Sequence, residues 1–355
     1  MPRNSVPDPR NSSPDPGNNR PDATARAGAS PSVPGFPRPR LVGLIPAAGR
    51  GTRLAPLPFS KELMPVGFTH ASEGADRKPR PVSQYLLERM RLAGAEQVFF
   101  ITRPGKGDIA DYYGDGSRLG LRFAYLQAGL PWGPPFSLAQ AVPFIGDARV
   151  VFGFPDILID PVDSFTPLLA RQDEAGADVV LGLFHATARE PGDVITRDDA
   201  TGRILNLETK EERPQRPDHY TCWMFAVWNG RFSMFLHEEC GRLAEQARAR
   251  IAADPQGKAP EWPVGAVIAA AIRAGLHVNS VWFPQGRFLD IGEPDGITAA
   301  AAFPGVWDGL GACPLFTRVR CVHASHGRFR ERAGRCCPAP GGCCRRSRST
   351  RDCSG

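Results

Sequence analysis

Apolar and polar positions form two distinct patterns that follow one another along the first half of the chain. The mostly apolar segments at 41–46 and 97–102 are typical of strands that are buried on both faces. Between them, apolar residues at 82–93 recur three or four positions apart, which predicts an amphipathic helix. The same criteria predict further strands at 121–127, 150–154 and 178–184, and helical segments at 108–113 and 138–144.

The second half contains shorter strand patterns, separated by turns, and two long helical patterns. Strands are predicted at 194–196, 203–208, 221–228, 281–283 and 287–291, and helices at 231–252, 264–274 and 293–302. Alternation of strands and helices is typical of an α/β fold. The pattern therefore predicts a mostly parallel sheet with helices packed on both of its faces.

Both ends of the chain lack this periodicity. Residues 1–40 contain ten prolines among many Asn, Ser and Asp residues, a composition typical of disordered extensions. Residues 305–355 contain ten arginines and seven of the nine cysteines, and we expect a disordered tail there too. The cysteines of the tail, with His323 and His326, leave open a zinc site, although their spacing fits no common zinc pattern. These expectations confine the folded domain to residues 41–304.

The formal charge of +6 is concentrated in the tail. Residues 305–355 carry a net charge of +7, which leaves −1 for the rest of the chain. A nearly neutral body argues against nucleic acid as the main partner. No apolar run reaches the length of about 18 residues that a membrane span needs, and the N-terminus has no apolar signal core. We therefore expect a cytoplasmic protein that does not interact with membranes.

A glycine-rich turn directly follows the first predicted strand, in the segment GRGTRL at 49–54. Its two glycines allow the backbone to approach an anion, and successive N–H groups can bind phosphates. Arg53 adds a planar guanidinium suited to phosphate oxygens. Lys61, one of only five lysines in the chain, lies close by in the segment SKELMPV. The turn is neither a dinucleotide fingerprint, because Leu54 occupies the third glycine position, nor a Walker loop.

Two aspartates lie near the ends of predicted strands that are far apart in sequence. Asp156 ends the segment FGFPD, and Asp290 lies in FLDIG. Ligands of open α/β sheets bind at the carboxyl ends of the strands, and magnesium takes one or two carboxylates together with substrate phosphates. The two side chains are therefore candidate magnesium ligands, although an aspartate in this position is also a common turn former.

Residues 44–66, which read LIPAAGRGTRLAPLPFSKELMPV, resemble the signature of the sugar-phosphate nucleotidylyltransferase family. Shorter stretches, LAG at 92–94, GDGS at 114–117 and LAQA at 138–141, extend the resemblance to about 41–303. The resemblance implies a Rossmann-like sheet with an inserted sugar-binding sub-sheet. It also implies a magnesium-dependent transfer of a nucleoside monophosphate from dTTP or UTP to a sugar 1-phosphate, with glucose 1-phosphate as the expected acceptor and pyrophosphate as the second product.

The resemblance further implies roles for individual residues. It assigns catalysis to Arg53 and Lys61, magnesium binding to Asp156 and Asp290, nucleotide binding to Ala48, Gly49, Gly51, Thr52 and Gln127, and sugar-phosphate binding to Gly192, Glu208 and Lys210. From the residues alone, Gln127 is equally well explained as an exposed strand residue. Lys210 is likewise explained as part of a solvated run of charges.

Several positions depart from the family pattern. Ser137 replaces a glycine, the interval between Gln127 and Ser137 is longer than usual, residues 67–80 look like an insertion, and Thr209 and Cys222 replace other residue types. These changes leave the base and the sugar open, whereas the phosphate and metal residues are all present. Two alternatives also stay open: a non-catalytic regulatory protein that binds sugar nucleotides, and a transferase that acts on another phosphate monoester. A homo-oligomer is compatible with the resemblance.

Overall fold

The computed structural model describes residues 40–68, 78–187, 192–215 and 217–303. The tail predicted at 305–355, with its cysteines and histidines, lies outside the described residues. So do the extension predicted at 1–40, apart from Arg40, and most of the insertion predicted at 67–80.

Strands and helices alternate through most of the described chain. The strands are β1 (Leu41–Pro46), β2 (Pro65–Phe68), β3 (Pro79–Pro81), β4 (Gln97–Thr102), β5 (Arg122–Gln127), β6 (Arg149–Gly153), β7 (Ile157–Asp160), β8 (Val179–Thr187), β9 (Val194–Arg197), β10 (Ile204–Glu208), β11 (His219–Trp228), β12 (Val278–Trp282) and β13 (Arg287–Asp290). The α-helices are α1 (Val82–Leu92), α2 (Gly107–Tyr113), α3 (Pro134–Ala139), α4 (Val142–Ile145), α5 (Phe165–Ala175), α6 (Gly230–Ala253), α7 (Val264–Arg273) and α8 (Pro294–Ala299). None of these helices is long and apolar enough to cross a membrane.

A seven-stranded sheet forms the main layer of the fold, in the order β12-β8-β11-β6-β1-β4-β5. All neighbouring strands in it are parallel except β11, which runs antiparallel to both β8 and β6. The predicted mostly parallel sheet is therefore confirmed. Because β1, β4, β5 and β6 are parallel, their carboxyl ends lie at the same edge of the sheet, where ligands bind in this type of fold.

Successive residues of the strands pack against helices on opposite faces of the sheet. In β1, Val42 and Leu44 belong to the core cluster that includes α3, α4, α6 and α7, whereas Ile45 belongs to the cluster that includes α1, α2 and α5. In β4, Phe99 belongs to the first of these clusters and Phe100 to the second. Each large apolar side chain that is fully buried stabilises the fold by about 1.5–3 kcal/mol. The prediction that helices cover both faces is therefore also confirmed.

Three two-stranded sheets flank the main sheet: β9–β10, β7–β13 and β2–β3. The antiparallel hairpin β9–β10, against which α7 packs, corresponds to the strands predicted at 194–196 and 203–208. In the pairing of β7 with β13, Asp290 lies opposite Ile157. This pairing carries the end of β13 back to the carboxyl end of β6.

The structure corrects several predicted elements. The helix predicted at 138–144 is two short helices, because α3 begins at Pro134 and ends before Pro143, which has no amide N–H for a continuous helix. The strand predicted at 281–283 begins three residues earlier, at Val278. Helix α5 and strands β2, β3 and β7 were not predicted. In α5, Pro167 lies in the first turn, where the missing N–H would have no intrahelical partner.

Candidate active site

The glycine-rich turn after β1 packs around the side chain of Lys61. A Cβ atom added to Gly49 would lie 3.9 Å from the Nζ atom of Lys61, and one added to Gly51 would lie 3.7 Å from its Cδ atom. Gly51 has a φ of 64°, a left-handed conformation that favours glycine. Within the described part of the chain, none of the amides of residues 48–52 donates a hydrogen bond. The backbone of this turn is therefore available to bind an anion.

Lys61 forms an ion pair at the carboxyl end of the sheet. It begins the 3-10 turn Lys61–Leu63, and its ammonium group donates a hydrogen bond to the carboxylate of Asp156, just beyond the end of β6. Burial acts to lower the pKa of Lys61, but the ion pair with Asp156 and the nearby carboxylates of Glu62 and Asp290 raise that pKa above its ordinary value of 10.5. Lys61 is therefore positively charged at neutral pH.

The pairing of β7 with β13 brings Asp290 beside Asp156. The amide of Ile291 donates a hydrogen bond of 2.8 Å to the carbonyl oxygen of Asp156. A Cβ atom added to Gly292 would lie 2.8 Å from Oδ1 of Asp290 and 3.0 Å from Oδ2 of Asp156. The two carboxylates therefore border one small space, which the absence of a side chain at Gly292 keeps open. Burial, and then the charge of Asp156, raise the pKa of Asp290 above its ordinary value of 3.8.

Arg53 lies on the solvent side of these carboxylates. Its NH2 atom is 3.7 Å from Oδ2 of Asp290, and its NH1 atom donates a hydrogen bond to Glu293, the residue that precedes α8. The side chain of Arg53 is 53% exposed, so the guanidinium can still contact a ligand in solution. The positive charge of Lys61 thus lies beside Asp156, and that of Arg53 lies near Asp290.

The two carboxylates fit a hard divalent cation. Magnesium prefers oxygen ligands and needs only one or two carboxylates when substrate phosphates complete its coordination. The pKa of Asp290 is raised first by burial and then by the charge of Asp156, and a bound cation would oppose both effects. Among the described residues, no group of three or more His, Cys, Asp or Glu side chains could hold a metal ion. Beyond Asp156 and Asp290, a cation at this site would complete its coordination with water or substrate phosphates.

A cleft of about 450 Å³ opens beside Lys61. It is lined by the loop at 55–60 and by Arg50, Gly51, Lys61, Arg103, Gly105, Lys106 and Asp108. Four of these side chains are basic and one is acidic, so the cleft suits a polyanion. The Nε atom of Arg103 is buried, and no group in the described part of the chain forms a hydrogen bond with it. Arg50 and Arg103 were not among the candidates from sequence.

The chain on both sides of Lys61 is attached to the start of α2. The amide and the hydroxyl group of Ser60 each donate a hydrogen bond of 2.6 Å to the carboxylate of Asp108. The carboxylate of Glu62 accepts two hydrogen bonds of 2.7 Å from the ammonium group of Lys106. Burial raises the pKa of Glu62 and lowers that of Lys106, and in each case the charge of the partner opposes the shift. Sequence reasoning missed these four residues, and only the scarcity of lysine pointed to Lys106.

Gln127 ends β5 at the same edge of the sheet as the glycine turn. It is exposed, and its Nε2 atom donates a hydrogen bond of 3.3 Å to Oγ1 of Thr102 at the end of β4. A Cβ atom added to Gly129 would lie 3.7 Å from Nε2 of Gln140, the other glutamine of this region. The structure therefore brings Gln127 to the carboxyl edge of the sheet, and among the described residues no hydrogen bond joins it to Lys61.

Glu208 and Lys210 lie at the far end of the β9–β10 hairpin. Glu208 accepts a hydrogen bond of 2.9 Å from Arg213, and Lys210 is exposed. Among the described residues, no hydrogen bond or ion pair joins Glu208 or Lys210 to Lys61 or Asp156. The structure therefore does not bring the two predicted groups of substrate-binding residues into direct contact.

Strand β11 connects the hairpin to the end of β6. A Cβ atom added to Gly192 would lie 2.9 Å from the Cβ atom of Cys222, so this glycine allows close packing on β11. The next residue, Asp193, accepts a hydrogen bond of 2.9 Å from Nε1 of Trp223. The ring of Trp223 packs against Phe154, with 6.1 Å between the ring centroids. Asp193 and Trp223 thus connect the chain next to Gly192 to Phe154, in the segment that leads from β6 to Asp156.

Residues 42–303 match a family model described as nucleotidyl transferase. The chain is 29% identical over 178 residues to a glucose-1-phosphate thymidylyltransferase of Actinoplanes sp., which covers 49% of this chain and 54% of that protein. It is 23% identical over 249 residues to the UTP–glucose-1-phosphate uridylyltransferase of Escherichia coli K12, which covers 59% of this chain and 78% of that protein. A glucose-1-phosphate thymidylyltransferase of Streptomyces griseus is 28% identical over 266 residues, 74% of this chain and 67% of its own length. The chain thus spans about half the length of the Actinoplanes relative and more of the other two.

Two solved structures have a similar fold. The UTP-bound UGPase from Acinetobacter baumannii aligns with a TM-score of 0.58 at 15% identity, over 79% of this chain and 99% of that one. A UDP-glucose pyrophosphorylase in complex with UDP-glucose aligns with a TM-score of 0.56 at 17% identity, over 74% of this chain and 97% of that one. At these identities the likeness concerns the fold alone, and it agrees with the Rossmann-like sheet that the sequence predicts.

Proposed function

Because the chain belongs to the nucleotidyl transferase family, we propose that it transfers a nucleoside monophosphate from a nucleoside triphosphate to a sugar 1-phosphate and releases pyrophosphate. The observation that carries this proposal is the ion pair of Lys61 and Asp156 beside Asp290, at the edge of an anion-binding turn and a basic cleft. The proposed donor is dTTP or UTP and the proposed acceptor is glucose 1-phosphate, because the curated relatives are named for these substrates. Since both are charged metabolites, we propose that the protein acts in the cytoplasm.

The proposed reaction is an in-line displacement at the α-phosphorus of the triphosphate. A non-bridging oxygen of the sugar phosphate forms a bond to this phosphorus, while the bond to the oxygen that bridges to the β-phosphate breaks. Pyrophosphate leaves with that electron pair. Because the second pKa of a phosphate monoester is about 6, the attacking oxygen is already anionic at neutral pH and needs no general base. Catalysis then depends on positioning and on neutralisation of charge.

The triphosphate binds at the glycine turn in this proposal. Its phosphates contact the backbone amides of Ala48, Gly49, Gly51 and Thr52. Arg53 stabilises the leaving pyrophosphate, Lys61 interacts with the α-phosphate, and Gln127 contacts the base. The unused amides of the turn, the positive charge of Lys61 and the position of Gln127 at the same edge of the sheet support these assignments. Arg50 and Arg103 extend the basic surface along the cleft, where the outer phosphates lie in this proposal.

The sugar 1-phosphate binds on the side of the β9–β10 hairpin. We assign its phosphate to Lys210 and its sugar to Gly192 and Glu208. The exposed ammonium group of Lys210 has no ion-pair partner in the described part of the chain, which supports a role toward an anionic ligand. In this proposal the acceptor phosphate lies between Lys210 and the α-phosphate that Lys61 contacts. Glu208 would exchange its hydrogen bond with Arg213 for one with a sugar hydroxyl.

Asp156 and Asp290 would hold a magnesium ion together with phosphate oxygens of the substrates. When bound, the ion neutralises phosphate charge and favours departure of pyrophosphate. Asp156 would then be shared between the ion and Lys61, which fixes the ammonium group close to the transferred phosphate. Gly292 keeps the space between the two carboxylates free.

Release of pyrophosphate from the purified protein tests the proposed function. Four nucleoside triphosphates are screened against several sugar 1-phosphates, with magnesium present and then with excess chelator. We expect a nucleotide sugar, identified by mass, from one preferred pair and no product with chelator. Transfer to a different phosphate monoester would replace the proposed acceptor. Binding of a sugar nucleotide without turnover of any pair would replace the enzyme with a regulatory protein.

A further inference from the structure

The segment around Lys61 is attached to the start of α2 on both sides of the lysine. Ser60 binds Asp108 through two hydrogen bonds, and Glu62 binds Lys106 through two more. We propose that the Glu62–Lys106 ion pair positions Lys61 for transfer of the α-phosphate, and that Lys106 acts through Lys61 without contacting a phosphate. This inference rests on the proposed function, because it needs a reaction in which Lys61 takes part.

The burial of the pair is the first reason for this role. Glu62 is 0% exposed and Lys106 is 5% exposed, although both lie next to an open, charged cleft. Removal of two charges from water is unfavourable, and well-packed apolar side chains of similar volume would often give equal or greater stability. A buried ion pair with two short hydrogen bonds nevertheless has a narrowly defined geometry. The pair therefore suits a position where orientation matters more than stability.

The path from the pair to Lys61 is short. Glu62 is the next residue after Lys61 in the same 3-10 turn, so its side chain fixes the backbone on one side of the lysine. Its carbonyl oxygen also accepts a hydrogen bond of 2.7 Å from the hydroxyl group of Ser83. The stem of Lys61 packs against Gly49 and Gly51. With backbone and stem both held, the ammonium group has few positions available other than the one beside Asp156.

Lys106 has one competing role, which is a direct contact with the triphosphate, because it lines the same cleft. Its ammonium group, however, already donates to both carboxylate oxygens of Glu62. The two roles predict different kinetics. Replacement of a positioning residue lowers kcat only while Lys61 is present. Replacement of a phosphate ligand raises KM for the triphosphate whether Lys61 is present or not.

The experiment is a double-mutant cycle with Lys61→Met. Lys106→Met alone would leave Glu62 buried without a partner, so the main variant is the double replacement Glu62→Gln with Lys106→Met, which removes both charges and keeps similar shapes. We expect this variant to lower kcat on the order of ten- to a hundredfold, since small displacements of a catalytic group can have effects of this size. In the Lys61→Met background, the same replacement should change kcat by less than about twofold. KM for the triphosphate should stay within about twofold in both backgrounds.

A matched control separates positioning from stability. Asp178 is another buried carboxylate, 4% exposed, and it forms an ion pair with Arg231. It precedes β8, at the edge of the sheet opposite to the site, so Asp178→Asn should lower the thermal unfolding temperature and leave kcat unchanged in either background. An effect of the Glu62/Lys106 replacement that persists in full in Lys61→Met, or appears in KM for the triphosphate, overturns the positioning role. A wild-type protein without transferase activity instead overturns the proposed function.

Discussion

The ammonium group of Lys61 and the carboxylate of Asp156 form a partly buried ion pair between residues 95 positions apart in sequence. The pair joins the glycine turn after β1 to the loop after β6. Because these strands are neighbours and parallel, the contact needs no long loop to form. Asp290 and Arg53 continue the alternation of charges toward solvent, at 3.7 Å from each other. Lys61 and Arg53 each therefore lie next to an acidic side chain.

Lys61→Met is predicted to lower kcat on the order of a hundredfold, by analogy with the loss of other electrostatic stabilisers of a transition state. The charge of Lys61 acts on the phosphate that is being transferred, so KM for either substrate should change little. Lys61→Arg should restore activity only in part, because a planar guanidinium cannot replace a compact charge held between two glycines. Steady-state kinetics with each substrate varied separately provides the measurement.

Lys210→Met is predicted to raise KM for the sugar 1-phosphate and to leave KM for the triphosphate unchanged. The exposed side chain of Lys210 lies in the part of the chain assigned to the acceptor and does not contact Lys61. Lys258→Met serves as the control, since Lys258 is also an exposed lysine and has no assigned role. If Lys210→Met has the same kinetics as the control, Lys210 is a solvated surface lysine that does not bind the sugar 1-phosphate. If Lys61→Met affects KM for the sugar phosphate alone, the two lysines have exchanged roles.

Asp156→Asn and Asp290→Asn are each predicted to lower kcat on the order of a hundredfold or more while the protein stays folded. Each replacement removes one of the two carboxylate ligands that the cation would use. Asp173→Asn is the control, because this aspartate is 70% exposed and forms an ion pair with Arg149 away from the site. Activity is measured over a range of magnesium concentrations. Wild-type activity in either variant, or in the wild type with excess chelator, contradicts the assignment.

Gly292→Ala is predicted to lower kcat on the order of a hundredfold by displacing groups that must be precisely placed. The added methyl group would lie 2.8 Å from Asp290, 3.0 Å from Asp156 and 3.2 Å from the guanidinium of Arg53, so at least one of them must move. Gly241→Ala, inside α6 with nothing within 4 Å of the new methyl group, should leave kcat unchanged and stabilise the protein by about 0.5–1 kcal/mol. Kinetics and urea unfolding of both variants measure the contrast. Normal kinetics for Gly292→Ala would mean that the space between the carboxylates is not used.

A chain trimmed to residues 41–304 is predicted to unfold cooperatively and to keep its kcat. The core clusters of the described chain consist entirely of residues between 41 and 303, so their packing survives the cuts. Circular dichroism during heating and a pyrophosphate assay compare the trimmed and full chains. A trimmed chain without a cooperative transition contradicts the prediction. Stoichiometric zinc in the full chain alone would support a metal site in the tail.

The sequence predicted the main sheet because its strands are mostly apolar segments, as in β1 and β4. It also singled out Asp156 and Asp290 as candidates, since an acidic residue at or just beyond the end of a strand is visible without knowledge of the partner strand. The pairing of β7 with β13, which brings the two aspartates together, was not predictable from runs of only four residues. The apolar pattern predicts which residues reach the edge of the sheet. The distances between those residues depend on the pairing of the short strands β7 and β13.

The Glu62–Lys106 pair was missed for a different physical reason. Charged side chains in a turn are usually solvated, and Lys106 is separated from Glu62 by 44 positions. In the described part of the chain, α1 packs on the turn that contains Glu62, and both members of the pair are buried. The helix α5 was missed because its sequence, FTPLLARQDEA, is short and contains a proline near its start. Local rules identify long periodic segments more readily than short ones.

The position of β11 in the sheet has a consequence for synthesis of the protein. β6 and β8 are complete long before β11, yet β11 lies between them and pairs with both. During translation, the four strands β5-β4-β1-β6 can assemble early, but the edge of β6 stays open and β8 has no neighbour until residues 219–228 leave the ribosome. The open edge is apolar, with Val150, Val151 and Phe152 along it, and an unpaired apolar edge is a template for aggregation. Rapid elongation through α5–β11, or chaperone cover of the nascent chain, therefore favours the yield of folded protein.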